Sequence, residues 1–229
     1  MSSIKVITLD LDDTLWDGRS ALVYAEQTVY SWLQQNCPRI TAKASMEELV
    51  TSRHAMVQHR GDIRHDFTAL RVAALEELAA EFGYAASMVE QAMAVFLKAR
   101  NHVEIFADVV PALEALAKEY QLVSVTNGNA DVHKTALGGY FDLAVTPAIA
   151  GTAKPDPRMF DVVLNHAGVD AGAVVHVGDE PHTDVVGAQR AGAHAVWINR
   201  TGREWPTETA PPHAEISVLG ELEAIIRAL

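Results

Sequence analysis

The sequence has only one cysteine, Cys37, among 229 residues. A single cysteine excludes an intrachain disulfide bond and is typical of proteins of the reducing cytoplasm. Cys37 precedes Pro38, and we interpret it as a small residue near the end of a helix rather than as a reactive thiol. The composition therefore predicts a cytoplasmic protein without covalent cross-links.

Positive charge is also scarce. The chain carries 18 Lys and Arg against 30 Asp and Glu, which gives a formal net charge of −12 at pH 7. We therefore expect no non-specific binding to nucleic acid or to anionic membranes. An acidic protein that handles a phosphate group needs a local lysine or arginine, a metal ion or helix N-termini to do so.

Long apolar runs are missing as well. No stretch approaches the roughly 20 apolar residues that a membrane span requires, and the apolar segment Ile4–Leu9 is too short for a signal core. The sequence shows no internal repeat and no low-complexity tract. With 49% hydrophobic and 21% charged residues, we expect one large domain, or a core with a smaller appendage.

The segment Ile4–Thr14 combines a strand with a cluster of acids. Its first residues are β-branched or large and apolar, as in a buried parallel strand, and three carboxylates follow, on Asp10, Asp12 and Asp13. Buried unpaired charge is costly, so the strand must end at Asp10 and deliver Asp10 and Asp12 into a polar crevice. Two such carboxylates could share Mg²⁺. An acidic turn that only ends the strand is the alternative.

Residues from about 20 to 100 have a helical pattern. Pro38 marks the end of the first helix, Ser45 and Glu48 have the spacing of a capping box, and Asp66 and Gly83 suit the two ends of a third helix. With a further run over 85–99, the pattern predicts four helices. We therefore predict an all-helical domain over 17–103, inserted into a core domain formed by 1–16 and 104–229.

From Ile105 onward helices and strands alternate. The predicted strands include 122–125, which ends at Thr126 and Asn127, and 174–177, which ends at Gly178 and Asp179. Such alternation is typical of an α/β fold, with a Rossmann-like parallel sheet covered by helices on both faces.

Each of these polar positions has an ordinary explanation when it is taken alone. Thr126 and Asn127 suit a turn, as does Asp179; Lys154 could be a solvated surface lysine; and Asp184 could be favoured by a helix dipole. It is harder to explain by turns alone why several of them fall at the same edge of one predicted sheet.

The order and spacing of these residues resemble the four motifs of the haloacid dehalogenase superfamily, with an inserted helical cap of the C1 type. The residues that carry the resemblance are Asp10-Leu11-Asp12-Asp13-Thr14, Thr126, Lys154, Gly178-Asp179 and Asp184. The resemblance implies phosphoryl transfer to Asp10 as nucleophile, with Asp12 as general acid and base. It further implies that Thr126, Asn127 and Lys154 hold the phosphoryl group. Mg²⁺ would bind Asp10, the backbone carbonyl of Asp12 and Asp179, with Asp184 as a further ligand or as a group that contacts the ligands.

Within the superfamily, the chain looks most like phosphatases. Hydrolytic dehalogenases usually lack the second aspartate, since a halide needs no protonation. The stretches Thr126–Ala130, Val175–Asp179 and Arg60–Arg64 resemble bacterial phosphatases of flavin mononucleotide and of a riboflavin-pathway phosphate. The implied partner is a small phosphorylated metabolite, with Arg60 and Arg64 as candidate selectivity residues or simply a solvated loop. A broad-specificity sugar-phosphate or nucleotide phosphatase, a phosphomutase, a 2-haloacid dehalogenase and a non-catalytic binding module are the alternatives.

Overall fold

The structure is a computed structural model that describes residues 3–206 and 208–229. The chain divides into two compact units, which we name the core unit (Met1–Gly18 with Val103–Leu229) and the helical unit (Arg19–His102). The sequence pattern placed the corresponding boundaries after residue 16 and before residue 104.

One parallel sheet forms the centre of the core unit. Among the described residues it has six strands, in the order β3-β2-β1-β4-β5-β6. All neighbouring pairs are parallel, which confirms the predicted α/β fold class. The strands are β1 Val6–Leu9, β2 Gln121–Val125, β3 Leu143–Val145, β4 Val174–Gly178, β5 His194–Ile198 and β6 Ala214–Ile216.

The central strand β1 is buried on both faces because its side chains alternate between two apolar layers. Ile7 and Leu9 pack into one layer, and Val6 packs into the other. Leu9 lies opposite Ser124 of β2 and Val177 of β4. The residues that follow β1, β2 and β4 therefore emerge at the same edge of the sheet, which is where α/β folds bind ligands.

The helical unit contains helices and no strand over residues 19–102, all of which the structure describes. Ser45 and Glu48 form the predicted capping box, Asp66 caps the following helix, and Gly83 ends that helix in the left-handed conformation. The prediction of four helices was wrong by one. Pro38 does end the first helix, but it also begins a short helix, because proline is well tolerated in the first turn. The helices are α1 Gly18–Asn36, α2 Pro38–Thr41, α3 Met46–Met56, α4 Phe67–Phe82 and α5 Ser87–Arg100.

The α-helices of the core unit lie between strands of the sheet, except the last helix, which follows the last strand. They are α6 Val109–Leu116, α7 Pro147–Ala150, α8 Arg158–Ala167, α9 Val186–Arg190 and α10 Leu222–Ile226, with a π-helical turn at Pro181–Val185 before α9. Across the ranges 3–206 and 208–229, none of the helices is both long enough and apolar enough to span a bilayer.

Candidate active site

Three carboxylates converge at the carboxyl edge of the sheet. Asp10 follows β1, Asp179 follows β4, and Asp184 lies on the π-helical turn. Each side chain offers one oxygen, and these oxygens all lie within 4.8 Å of one another. Asp10 and Asp184 are buried, and Asp179 is half-buried. The topology thus brings together three of the predicted site residues.

The ammonium group of Lys154 lies between two of these carboxylates. Its Nζ donates to Oδ1 of Asp10 at 2.7 Å, to Oδ1 of Asp184 at 2.6 Å and to the carbonyl oxygen of Val125 at 2.6 Å. The three donors of a lysine are therefore all used. Lys154 is 4% exposed, so it is a buried part of the site and not a solvated surface lysine.

The cluster carries more negative charge than Lys154 can neutralise. Burial raises the pKa of Asp10 well above its ordinary value, although Lys154 opposes this. Burial, with the nearby charge of Asp184, raises the pKa of Asp179 to about 7. Burial also disfavours the charge of Asp184, but Lys154 and His176 outweigh it and lower that pKa. Burial disfavours the charge of Lys154, but Asp10 and Asp184 outweigh burial and raise the pKa of Lys154.

This arrangement fits a divalent cation. Three carboxylates face one buried ammonium, and their oxygen atoms are the donors that Mg²⁺ prefers. The raised pKa of Asp179 also indicates a cation site, because ionisation of this carboxylate is disfavoured until another positive charge is present. The donor set at the edge of the sheet is therefore suited to the predicted metal.

Asp184 is held on several sides. Its Oδ2 accepts a hydrogen bond from the backbone N–H of Glu180 at 2.9 Å, and its Oδ1 lies 3.3 Å from Nε2 of His176. A Cβ at Gly178 would lie 2.2 Å from Cγ of Asp184. Glycine at 178 is thus a steric requirement, since any side chain there would displace the carboxylate.

Asp12 lies beside this cluster rather than in it. Its Oδ1 accepts a hydrogen bond from the indole Nε1 of Trp16 at 2.8 Å, while Leu11 is buried in the apolar layer. The chain turns sharply here, with Asp13 at a φ of 58°. The carboxylate of Asp12 is not one of the three clustered groups. Its roles as general acid and as a backbone metal ligand stay predictions.

Asn127 holds the backbone of Lys154. The N–H of Lys154 donates to Oδ1 of Asn127 at 2.7 Å, and Nδ2 of Asn127 donates to the carbonyl of Lys154 at 2.9 Å. Oγ1 of Thr126 accepts from the N–H of Gly128 at 2.9 Å. Phosphate binding by Thr126, Asn127 and Lys154 stays a prediction, and for Asn127 its backbone N–H is the better candidate because its side chain is engaged.

Sequence reasoning gave no role to three residues that contact the site, namely Arg203, Trp197 and His176. The guanidinium of Arg203 donates to the carbonyl oxygen of Asp179 and lies 3.3 Å from its Oδ2, and Nε1 of Trp197 donates to the same carbonyl at 2.7 Å. His176 was visible as a polar residue in an otherwise valine-rich strand, which is an informative exception. Arg203 gave no comparable signal, because it lies in an irregular segment.

Arg60 and Arg64 lie in the helical unit, between α3 and α4. Arg60 forms a two-point ion pair with Asp62, with distances of 3.2 and 3.1 Å, and both side chains are exposed. Arg64 is exposed as well. A role in substrate selectivity stays a prediction for both residues.

Residues 4–192 match the family model for haloacid dehalogenase-like hydrolases. The chain is 32% identical to 5-amino-6-(5-phospho-D-ribitylamino)uracil phosphatase YigB of Escherichia coli (strain K12), over 99% of this chain and 98% of that protein. It is 29% identical to human N-acylneuraminate-9-phosphatase, over 100% of this chain and 96% of that one.

A solved structure is similar over nearly the whole chain. It is described as 2-haloacid dehalogenase from Pseudomonas syringae pv. Tomato DC3000, with a TM-score of 0.91, 39% identity and coverage of 98% of this chain and 99% of that chain. The family resemblance predicted from the four motifs is confirmed, because the family model covers most of the sequence. The chain belongs to the haloacid dehalogenase-like hydrolases.

Proposed function

We propose that the protein is a Mg²⁺-dependent phosphatase that hydrolyses a small phosphomonoester through an aspartyl-phosphate on Asp10. The observation that carries this proposal is the position of Lys154, which is buried between Asp10 and Asp184 at 2.7 and 2.6 Å while Asp179 completes the acidic cluster. Such a group of charges can bind both a cation and the oxygens of a phosphoryl group.

Asp10 supplies the nucleophile. An oxygen of its carboxylate attacks phosphorus, the bond between phosphorus and the ester oxygen breaks, and the leaving oxygen takes a proton from Asp12. Water then attacks the phosphorus of the aspartyl-phosphate and gives a proton back to Asp12. Inorganic phosphate leaves, and the carboxylate of Asp10 is restored.

Asp10, Asp179 and Asp184 would hold Mg²⁺ with their carboxylates, together with the backbone carbonyl of Asp12. When bound, the ion neutralises the repulsion between a carboxylate nucleophile and a phosphate dianion. Lys154 keeps the charge of Asp10 and Asp184 partly compensated, and Asn127 fixes the backbone from which Lys154 projects.

Asp12 favours phosphate over halide chemistry. An alkoxide leaving group requires a proton, whereas a halide does not, so the acid role of a second carboxylate is needed only for the phosphate ester. Trp16 restrains Asp12 through the hydrogen bond to Oδ1. The 39% identity to a protein described as 2-haloacid dehalogenase supports dehalogenation as the second candidate function.

The relatives suggest the class of substrate. The Escherichia coli relative is named for a phosphoribitylamino-uracil, and the human relative is named for an N-acylneuraminate 9-phosphate. We therefore propose 5-amino-6-(5-phosphoribitylamino)uracil or flavin mononucleotide as the substrate. A broad-specificity sugar-phosphate or nucleotide phosphatase is the alternative, and no observation favours a phosphomutase.

The test measures two products on the same purified protein. Phosphate release from p-nitrophenyl phosphate and from flavin mononucleotide is assayed with Mg²⁺ and with EDTA, and halide release from 2-chloropropionate is assayed in parallel. We expect phosphate release that requires Mg²⁺ and no halide release. Halide release without phosphate release would replace the phosphatase by the dehalogenase, and full phosphatase activity in EDTA would contradict the metal site.

A further inference from the structure

We infer that His176 is a positioning residue that orients the carboxylate of Asp184 for metal binding. The inference rests on the proposed function, because it assigns Asp184 to the Mg²⁺ site. The polar contacts of the His176 ring are with Thr8 and Asp184, so it acts on the site through Asp184.

The imidazole of His176 spans the distance between two polar groups inside the core unit. Its Nδ1 lies 2.9 Å from Oγ1 of Thr8 on β1, and its Nε2 lies 3.3 Å from Oδ1 of Asp184. The residue is 1% exposed, and its ring forms a T-shaped pair with the ring of Phe160, with 5.0 Å between centroids. The ring is therefore fixed by packing as well as by its polar neighbours.

The partners decide which ring nitrogen carries a hydrogen towards Asp184. Lys154 donates to Oδ1 of Asp184 and the N–H of Glu180 donates to its Oδ2, which is the pattern of an ionised carboxylate. An ionised carboxylate only accepts hydrogen bonds, so the contact requires Nε2 of His176 as the donor.

The hydroxyl of Thr8 lies 2.9 Å from Nδ1 of His176 and 3.3 Å from the carbonyl oxygen of Val175. It can donate to Nδ1 of a neutral ring, and it can accept from Nδ1 of a protonated ring while it donates to that carbonyl. The hydrogen bond from Nε2 to Asp184 therefore forms whether the ring is neutral or protonated.

The hydrogen bond limits how Asp184 can rotate. Oδ1 receives Lys154 and His176, whereas Oδ2 receives the N–H of Glu180 at 2.9 Å. Without the donor on His176, Lys154 alone would hold Oδ1, and Lys154 is shared with Asp10. Partners of this kind orient the ligands of metal sites, and their loss typically weakens metal affinity by about 10–100-fold.

The competing explanation is that His176 merely fills space between the strands and Phe160. Two substitutions separate the explanations. Glutamine places an amide nitrogen near the position of Nε2 and can still donate to Asp184. Asparagine is shorter: it offers a group near the position of Nδ1 and can still meet Thr8, but it cannot reach Asp184.

The experiment measures the dissociation constant for Mg²⁺ by calorimetry for the wild-type protein, His176→Gln and His176→Asn, together with the thermal unfolding of each metal-free protein. We expect His176→Asn to bind Mg²⁺ about tenfold or more weakly than the wild type. We expect His176→Gln to bind distinctly more tightly than His176→Asn. Equal affinities in all three proteins, or equal losses in both variants, would assign His176 to packing alone.

A second measurement uses the metal-free wild-type protein and does not depend on activity or on the folding of a variant. ¹⁵N NMR of the histidine rings should show a hydrogen on Nε2 of His176. A ring with hydrogen only on Nδ1 would overturn the inference. If the wild-type protein bound no Mg²⁺, the proposed function would fail, whereas the NMR result would still decide how His176 meets Asp184.

Discussion

Asn127 and Lys154 are 27 residues apart in the sequence and are joined by a reciprocal pair of hydrogen bonds, at 2.7 and 2.9 Å. The pair resembles a short piece of sheet hydrogen bonding, except that a side-chain amide replaces one strand. It attaches the loop that carries Lys154 to the end of β2. The ammonium of Lys154 can then reach the carbonyl of Val125, Asp10 and Asp184 together.

Replacing Asn127 by alanine should loosen this loop. The N–H and the carbonyl of Lys154 would lose their partners, which costs about 1–3 kcal/mol for a buried group left unpaired. We expect a lower free energy of unfolding, measured with urea, and a lower kcat because the ammonium is less well placed. Asn36→Ala is the matched control, since Asn36 is an exposed helix residue. Equal behaviour of the two variants would show that Asn127 does not position Lys154.

Asp10→Asn should abolish turnover without unfolding the protein. The amide keeps the shape of the side chain but loses its charge and its nucleophilicity. Asp170→Asn makes the same chemical change at an exposed position of the core unit and should leave activity as it is. Phosphate release and circular dichroism of both variants provide the measurement. Near-normal hydrolysis by Asp10→Asn would end the aspartyl-phosphate proposal.

Asp12→Asn tests acid–base catalysis separately from structure. The carbonyl oxygen of asparagine can still accept the hydrogen bond from Trp16, so the local fold should persist. Loss of the acid–base group should slow hydrolysis of an alkyl phosphate by about 10²–10⁴-fold. With p-nitrophenyl phosphate, whose leaving group needs no proton, only the first step should recover, so a burst of nitrophenol should precede slow turnover. Wild-type rates on the alkyl phosphate would leave Asp12 with a structural role alone.

The sequence predicts where strands end and where helices are capped better than it predicts the side-chain contacts within the site. The end of β1 at Asp10 follows from the cost of burying unpaired charge, and the capping of α3 and α4 follows from local hydrogen bonding. Both are properties of neighbouring residues. The burial of Lys154, the use of the Asn127 side chain and the contact of Arg203 with Asp179 depend on how distant segments pack. Residue type and spacing carry no information about such contacts.

Magnesium affinity should fall as the pH is lowered through neutrality. The pKa of Asp179 is raised from 3.8 to about 7 by burial and by Asp184, so a proton competes with the metal below that pH. The raised pKa of Asp10 acts in the same direction. Below about pH 7, affinity should fall by roughly tenfold per pH unit for each proton released.

Calorimetry at pH 6 and pH 8, in two buffers of different protonation enthalpy, measures both the affinity and the protons released. The variant Asp179→Asn should release fewer protons than the wild type when Mg²⁺ binds, and it should bind Mg²⁺ more weakly. The same Mg²⁺ affinity at pH 6 and pH 8 would contradict the acidic cluster as the metal site.

The arginines of the segment between α3 and α4 should affect the choice of substrate rather than the reaction. Asp10, Asp179 and Lys154 are proposed to meet only the metal and the phosphoryl group, so they cannot distinguish one leaving group from another. Arg60 is paired with Asp62, but this ion pair is exposed, and exposed pairs contribute little to stability. We therefore expect that Arg60 exchanges Asp62 for an anionic or planar substrate at small cost, by charge or by stacking.

We expect Arg60→Ala and Arg64→Ala to raise KM for flavin mononucleotide and to change the hydrolysis of p-nitrophenyl phosphate much less. Lys98→Ala removes an exposed cation from α5 of the same helical unit and serves as the control. If both arginine variants behaved like Lys98→Ala, the segment would be a solvated loop. If they slowed both substrates equally, the arginines would act on the fold or on the phosphoryl group, because a contact with the leaving group must discriminate between a flavin and a nitrophenol.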